Sequence, residues 1–336
     1  MTLQEQLQHK IDTKTKPLGS LGKLEKIALQ VGLLQKTLTP EIKKPAVFTF
    51  AADHGLTEAG VSAYPKAVTC QMVQNFLDGG AAINVFCNQH NLQLKVVDAG
   101  VDTDFPAHPM LIAAKVRKGT RNILEAPAMT MDECKQALQN GRDIVDRQAR
   151  EGTNIIAFGE MGIGNTSAAS LLLSQFANLP IAACTDRGTG HDDKGLRKKI
   201  DILTKALEKH PGIQDPMKRL ATFGGLEIAT MCGACLEAAK HRMLILVDGF
   251  IATSAVMVAI GMEPSVQQAC LFTHQSGEQG HKHMLNYLNA EPLLHLQMRL
   301  GEGTGAAIAF PLVQSAIAFL NQMASFDSAN VSGKQA

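Results

Sequence analysis

Five short apolar runs in the chain each end in glycine or a polar turn. They are Ala46 to Ala52 before Asp53-His54-Gly55, Leu94 to Val97 before Asp98-Ala99-Gly100, Asn154 to Phe158 before Gly159-Glu160, Met243 to Val247 before Asp248-Gly249, and Ala269 to Thr273 before His274. Small and β-branched residues dominate them, and their length suits buried strands. Segments of helical period lie between the runs. Nearly continuous apolar strands alternating with helices predict an α/β protein whose parallel sheet is covered on both faces. In such sheets ligands bind outside the carboxyl ends of the strands, which directs the search for chemistry to the turns that follow them.

Two helical patterns stand outside this alternation. Leu21, Leu24, Ile27, Ala28, Val31 and Leu34 share one helical face near the start, and a second pattern runs from Ala306 to Met323. They are expected to pack together as a small helical lobe, 1–39 with 306–336, beside a large α/β domain, 40–305, that carries the site. A chain of 336 residues exceeds the roughly 250 to 300 at which single cores stop growing, which agrees with that division. The polar stretch from Ser325 to Ala336 is expected to fray.

Composition narrows the function. With 32 basic and 31 acidic side chains, no Trp and two Tyr, the chain has neither the basic field nor the stacking platforms of a nucleic-acid binder. The start, MTLQEQLQHK, lacks the apolar core of a signal peptide, so a cytoplasmic protein is expected. Phe250 to Gly261 and Ala306 to Val313, the longest apolar stretches, fall short of the roughly 18 residues of a bilayer span, so no membrane segment is expected. Seven cysteines, an odd count without framework spacing, predict reduced thiols.

Three glycine loops could carry chemistry. In Asn154 to Leu173 a strand runs through Gly159-Glu160-Met161-Gly162-Ile163-Gly164-Asn165-Thr166 into an alanine-rich helix. Such a loop is either an anion cradle, in which unpaired helical N–H groups and the macrodipole face a phosphate, or a tight turn with Asn165 or Thr166 as N-cap. It lacks the Gly-Lys-Ser/Thr of a nucleoside-triphosphate loop. The second, Thr185 to Lys199, places Arg187, Gly188-Thr189-Gly190 and Lys199 around a helix start marked by Asp192 and Asp193. Its basic residues, Arg187, Lys198 and Lys199, are either phosphate partners or a solvated helix face, and its acidic pair suits a helix N-terminus better than a metal. In the third, Arg299 to Ala307, Glu302 lies between glycines at the mouth of an apolar helix, where it either serves the helix dipole or acts as a partly desolvated general base.

Two constellations look metal-like without matching a metal site. His274, Glu278, His281 and His283 lack the i, i+4 pairing of a zinc helix, and Cys232-Gly233-Ala234-Cys235 lies within a helical run where small packing residues are expected. No metal and no cofactor are assigned.

Taken in order, Lys16-Pro17-Leu18-Gly19-Ser20-Leu21-Gly22, Ala52-Asp53-His54-Gly55, PKAVTCQ from Pro65 to Gln71, GEMGIGNTS, RGTG with its acidic pair, GGLEIA, LVDGF, HQSGEQGH and RLGEGTGA resemble the nicotinate-nucleotide dimethylbenzimidazole phosphoribosyltransferase family over most of the chain. The resemblance implies a Rossmann-like sheet with a helical lobe from both chain ends, in a homodimer. It implies transfer of the 5-phosphoribosyl group of nicotinate mononucleotide to 5,6-dimethylbenzimidazole, giving α-ribazole 5′-phosphate and nicotinate for the cobalamin nucleotide loop. By the same resemblance Glu302 is the catalytic base and Glu160 shares its pocket. Gln71, Met161 and Leu300 would line the acceptor pocket, while Gly162, Gly164, Lys199 and Ser276 would hold the ribose phosphate. Asp186 departs from the family pattern, and its carboxylate would repel a phosphate unless turned away.

Overall fold

In the computed structural model, which describes residues 1–188, 190 and 192–332, all five apolar runs contribute strands. The chain begins α1 (Leu3–Asp12), α2 (Lys23–Gln35), β1 (Ala46–Ala52), α3 (Ala67–Leu77), α4 (Ala82–His90), β2 (Gln93–Gly100), β3 (Leu111–Ala113). It continues α5 (Met131–Arg150), β4 (Ile155–Met161), α6 (Asn165–Ala177), α7 (Ile181–Cys184), α8 (Asp193–Lys209), α9 (Pro216–Phe223), α10 (Leu226–Lys240). Last come β5 (Leu244–Val247), α11 (Phe250–Met262), β6 (Cys270–Phe272), α12 (Gln279–Tyr287) and α13 (Thr304–Gln322). β3 is the strand the sequence pattern missed: three residues at a sheet edge, none of them buried, offer no apolar run.

The six strands pair in parallel in the order β3-β2-β1-β4-β5-β6, the doubly wound order of a Rossmann fold. Strand order reverses between β1 and β4, where neighbouring connections leave toward opposite faces and open a crevice at the carboxyl ends. The register Phe50↔Glu160 and Ala51↔Met161 therefore sets Asp53-His54 beside the first glycine loop at the crevice.

Side-chain alternation along β1 divides the interior. Phe48 and Phe50 join the core shared with α5, α6, α10 and α11, while Val47 and Ala51 join the core shared with α1, α2, α4 and α13. The helical segments from the two chain ends thus pack together and onto the sheet, through residues such as Leu7, Ile27, Ala306 and Phe310. The expected fraying after Ser325 does not hold at once. Thr15 N–H donates to Ala324 O at 3.1 Å and Phe326 N–H to Thr13 O at 3.0 Å, so backbone pairing ties this stretch to the N-terminal segment. At 19 residues and a mean hydropathy of 1.4, α13 has the length and composition of a membrane span, longer than the apolar run alone suggests. Its window is 56% buried and it begins at the site, which marks it as a core helix of this fold.

Cys232-Gly233-Ala234-Cys235 lies buried within α10, and its glycine has a packing reason. A Cβ at Gly233 would stand 2.0 Å from Leu138 O on α5, and one at Gly141 of α5 would stand 1.8 Å from Thr230 O on α10. The two helices cross in backbone contact. Gly141→Ala should therefore destabilise the protein by at least about 1 to 3 kcal/mol, the usual cost of overpacking, measured as a lower urea midpoint. An unchanged midpoint would show that the helices separate freely.

Candidate active site

At the end of β4 the backbone passes under its neighbour strand. A Cβ at Gly162 would meet Ala52 O at 2.5 Å, and Gly164, at φ +94°, is the N-cap of α6. Neither Asn165 nor Thr166 caps the helix. The Asn165 amide instead donates to Glu160 Oε2, and Thr166 Oγ1 accepts from Lys199 Nζ at 2.9 Å. Gly162, Gly164, Asn165, Thr166, Arg187, Gly188 and Lys199 line one recess at this helix start. Burial pushes the Lys199 ammonium down to about 8, partly offset by the charges of Glu278 and Asp186. A buried ammonium at a helix start gives the recess a charge that can accept an anion.

Asp186 resolves its own apparent conflict. Its Oδ2 accepts from Gln279 N–H at the start of α12, at 2.9 Å, and its Oδ1 from Arg187 N–H at 2.7 Å. Both oxygens are thus occupied by backbone donors. Asp192 caps α8 through Gly195 N–H at 2.7 Å, as its position predicts. Thr189, at the centre of the expected Gly188-Thr189-Gly190 turn, lies outside the described residues.

Glu302 sits in a backbone turn of left-handed residues, with φ +84°, +66° and +96° at Gly301, Glu302 and Gly303. Two contacts on the sheet hold it there: Glu302 N–H donates to Glu160 O at 3.2 Å, and Thr49 Oγ1 donates to Glu302 O at 2.8 Å. Gly159 makes the approach possible, since a Cβ there would stand 2.1 Å from the Glu302 carbonyl group. Asp248, in the turn after β5, closes the loop by accepting from Gly303, Gly305 and Ala306 N–H at 3.1, 2.7 and 3.2 Å. This carboxylate satisfies the first turn of α13, a role that the sequence pattern left unassigned although the turn follows a predicted strand.

The two glutamates flank Gly301. Glu160 Oε1 lies where a Gly301 side chain would begin, 1.9 Å from its Cβ position, whereas Glu302 Oε2 points to Ile83 N–H in the first turn of α4, at 3.4 Å. Burial raises the Glu160 carboxyl to about 8, opposed by the Asn165 bond and reinforced by the charges of Asp248, Glu227 and Glu302. Burial likewise raises Glu302 to about 7, against the pull of Ile83 N–H and with the Asp248 charge. Both therefore exchange protons near neutral pH, the range a general base needs.

A larger cleft adjoins the anion recess and shares Gly162, Ile163, Asn165, Thr166 and Gly188 with it. Glu160, Met161, Ser276, Leu300 and Gly301 also line it. Two expected residues lie elsewhere. The Glu302 carboxyl is behind Gly301 on the α4 side, and Gln71 is exposed on α3. Met161 connects the two sides, lining the cleft while packing on the core that α3 and α4 share.

Beneath the recess lies a pair that sequence reading did not assign. His54 Nε2 and Glu227 Oε1 are 2.7 Å apart and buried, with the His54 ring against Gly162. Burial alone would lower His54, but the charge and hydrogen bond of Glu227, together with Asp53, raise it overall. In the His274 to His283 segment, His281 Nδ1 accepts from Ser276 N–H at 2.8 Å and its Nε2 meets Thr253 Oγ1 at 3.0 Å. Both ring nitrogens are engaged, and burial lowers the imidazole to about 3. Asp146, Glu237 and His241 lie close enough to share a metal, but they are at the opposite end of the sheet, and Arg142 and Lys240 already pair with Glu237.

A doubly wound parallel sheet, with an anion recess and a cleft of proton-exchanging carboxyls at its switch point, defines an α/β enzyme that acts on a phosphorylated substrate. The phosphoribosyltransferase family model matches residues 1–331, and the chain belongs to that family. A relative from Cupriavidus necator named nicotinate-nucleotide dimethylbenzimidazole phosphoribosyltransferase is 56% identical, over 98% of this chain and 95% of its own. One of the same name from Dechloromonas aromatica is also 56% identical, over 99% and 97%. A solved structure described as CobT from Thermus thermophilus superposes with a TM-score of 0.95 at 42% identity, covering 99% of each chain.

The raised carboxyl of Glu160 links stability to pH. A group whose folded value is above its unfolded one stabilises fully below the unfolded value, near 4.5, and that contribution is lost as pH rises through about 8. Glu160→Gln removes the titration. Its unfolding free energy relative to wild type should therefore rise between pH 5 and 8, by up to about 1.4 kcal/mol per pH unit. A difference that stays constant with pH in urea denaturation would contradict the buried, neutral carboxyl.

Proposed function

We propose that this chain transfers the 5-phosphoribosyl group of nicotinate mononucleotide to 5,6-dimethylbenzimidazole, yielding α-ribazole 5′-phosphate and nicotinate for the cobalamin nucleotide loop. The observation that carries the proposal is the joining of an anion recess to a cleft bounded by Glu160, with Glu302 on the other side of Gly301. The donor phosphate occupies the start of α6, held by loop N–H groups and Lys199, with Arg187 at the rim. Its ribose and pyridinium extend into the cleft past Ser276 and Glu160.

Nicotinate leaves as a neutral ring nitrogen, so its departure needs no general acid. The acceptor approaches from the side of Met161, Leu300 and Gln71. One ring nitrogen attacks the anomeric carbon, the glycosidic bond to the pyridinium breaks with its electron pair, and the configuration inverts from β to α. As positive charge spreads into the attacking ring its second N–H becomes acidic, and the Glu302 carboxylate takes that proton. Asn165 donates to Glu160 Oε2, which leaves Oε1 to carry the proton of the neutral carboxyl beside Gly301. Glu160 in this scheme positions the donor and Glu302 does the proton transfer.

The working form in this proposal is a homodimer in the cytoplasm, where the unpaired state of all seven cysteines is maintained. Nicotinate should be released from nicotinate mononucleotide only when dimethylbenzimidazole is present. Glu302→Gln should slow turnover by about a hundredfold or more with little change in the KM for the donor. Wild-type turnover should rise with pH through about 7 as Glu302 loses its proton. Near-normal turnover in the Gln variant would remove Glu302 from the mechanism, and release without acceptor would contradict the transfer itself.

A further inference from the structure

Glu278 lines the cleft yet has no part in the scheme above. Although it is only 8% exposed, its carboxylate accepts no hydrogen bond among the described residues. The neighbouring groups explain how it stays in place. Its own N–H donates to Ser276 Oγ at 3.3 Å, and the charges of Lys199 in the recess and of Arg299, whose side chain packs beside Gly277, act on it. Arg299 in turn reaches across to Gly188 O at 3.1 Å, so this wall is fixed to the phosphate loop. Burial and the nearby Asp186 raise the Glu278 carboxyl, and the two cations lower it.

A mostly buried carboxylate with open lone pairs needs donors, and the cleft must supply them when it is filled. Phosphate, nicotinate carboxylate and pyridinium offer no hydrogen-bond donor. The ribose offers two, its vicinal hydroxyls, and it must lie between the phosphate recess and the carboxyl pair at Gly301. Ser276 Oγ accepts from Glu278 N–H, and its own O–H has no acceptor among the described residues, so it can join the same sugar edge. We propose that Glu278 reads the ribose of the donor, accepting hydrogen bonds from its 2′- and 3′-hydroxyls and so selecting ribonucleotide over deoxyribonucleotide.

This inference rests on the donor assignment above. The test compares nicotinate mononucleotide with its 2′-deoxy analogue as donors, dimethylbenzimidazole as acceptor, and kcat/KM as the readout. Wild type should prefer the ribonucleotide by about 10- to 100-fold, the range of a hydrogen bond to a charged acceptor. Glu278→Ala should lose most of that preference, because the ribonucleotide loses both hydroxyl contacts and the deoxy analogue, which retains only the 3′-hydroxyl, loses one. A general structural defect would lower both donors alike. Glu278→Gln, which keeps the side chain's length and most of its packing, should retain part of the preference and serves if the Ala variant does not fold. A wild type without the preference, or variants that keep it whole, would overturn the role of Glu278. A wild type that releases no nicotinate from the ribonucleotide would instead overturn the donor assignment.

Discussion

The site depends on one backbone contact: the turn at Gly301 to Gly303 lies directly against β4 at Gly159, with no room for a side chain between them. That contact fixes three things at once. It buries the Glu302 peptide under Thr49, it brings Gly301 against the Glu160 carboxyl, and it sets the start of α13 where Asp248 can satisfy its N–H groups. α13 then runs across the sheet as part of its second core, so the Gly301 to Gly303 turn and the packing of that face share one anchor. A left-handed glutamate is costly for an L-residue and persists because strand, loop and cap all determine it together.

Charge is distributed to match the proposed chemistry. The anion recess ends in a helix N-terminus and a buried lysine, whereas the other end of the cleft is crowded with carboxyl groups. Crowding and burial keep Glu160 and Glu302 partly protonated near neutrality, which limits the cost of burying them. In the proposed reaction an acceptor losing a proton would find its base in Glu302. In the proposed binding mode the phosphate lies away from Glu160 and Glu302, and Asp186 is turned to backbone donors.

Much of this was legible in the sequence because strands buried on both faces leave unmistakable apolar runs, and parallel sheets place function at the turns that follow. The first glycine loop was reached that way, whereas Lys199 and Glu302 stand on glycine loops outside the strand turns and took their expected roles from the family resemblance. What could not be read was relational. Asp248 follows a predicted strand, yet nothing local shows that it serves a helix start more than fifty residues later. The His54 and Glu227 pair joins segments 173 residues apart, and β3 is too short to carry a pattern. Gln71 is exposed on α3, and the Glu302 carboxyl faces α4 instead of the donor cleft, a side-chain direction that spacing does not encode.

The central claim is that burial against β4 makes Glu302 a base matched to neutral pH. Carbon-13 NMR of the protein labelled at glutamate side-chain carboxyls, with Glu302→Gln to assign the resonance, measures this directly. A Glu302 signal titrating with a midpoint of about 7 would agree with the account. A midpoint near 4.5, the ordinary value for glutamate, would contradict it.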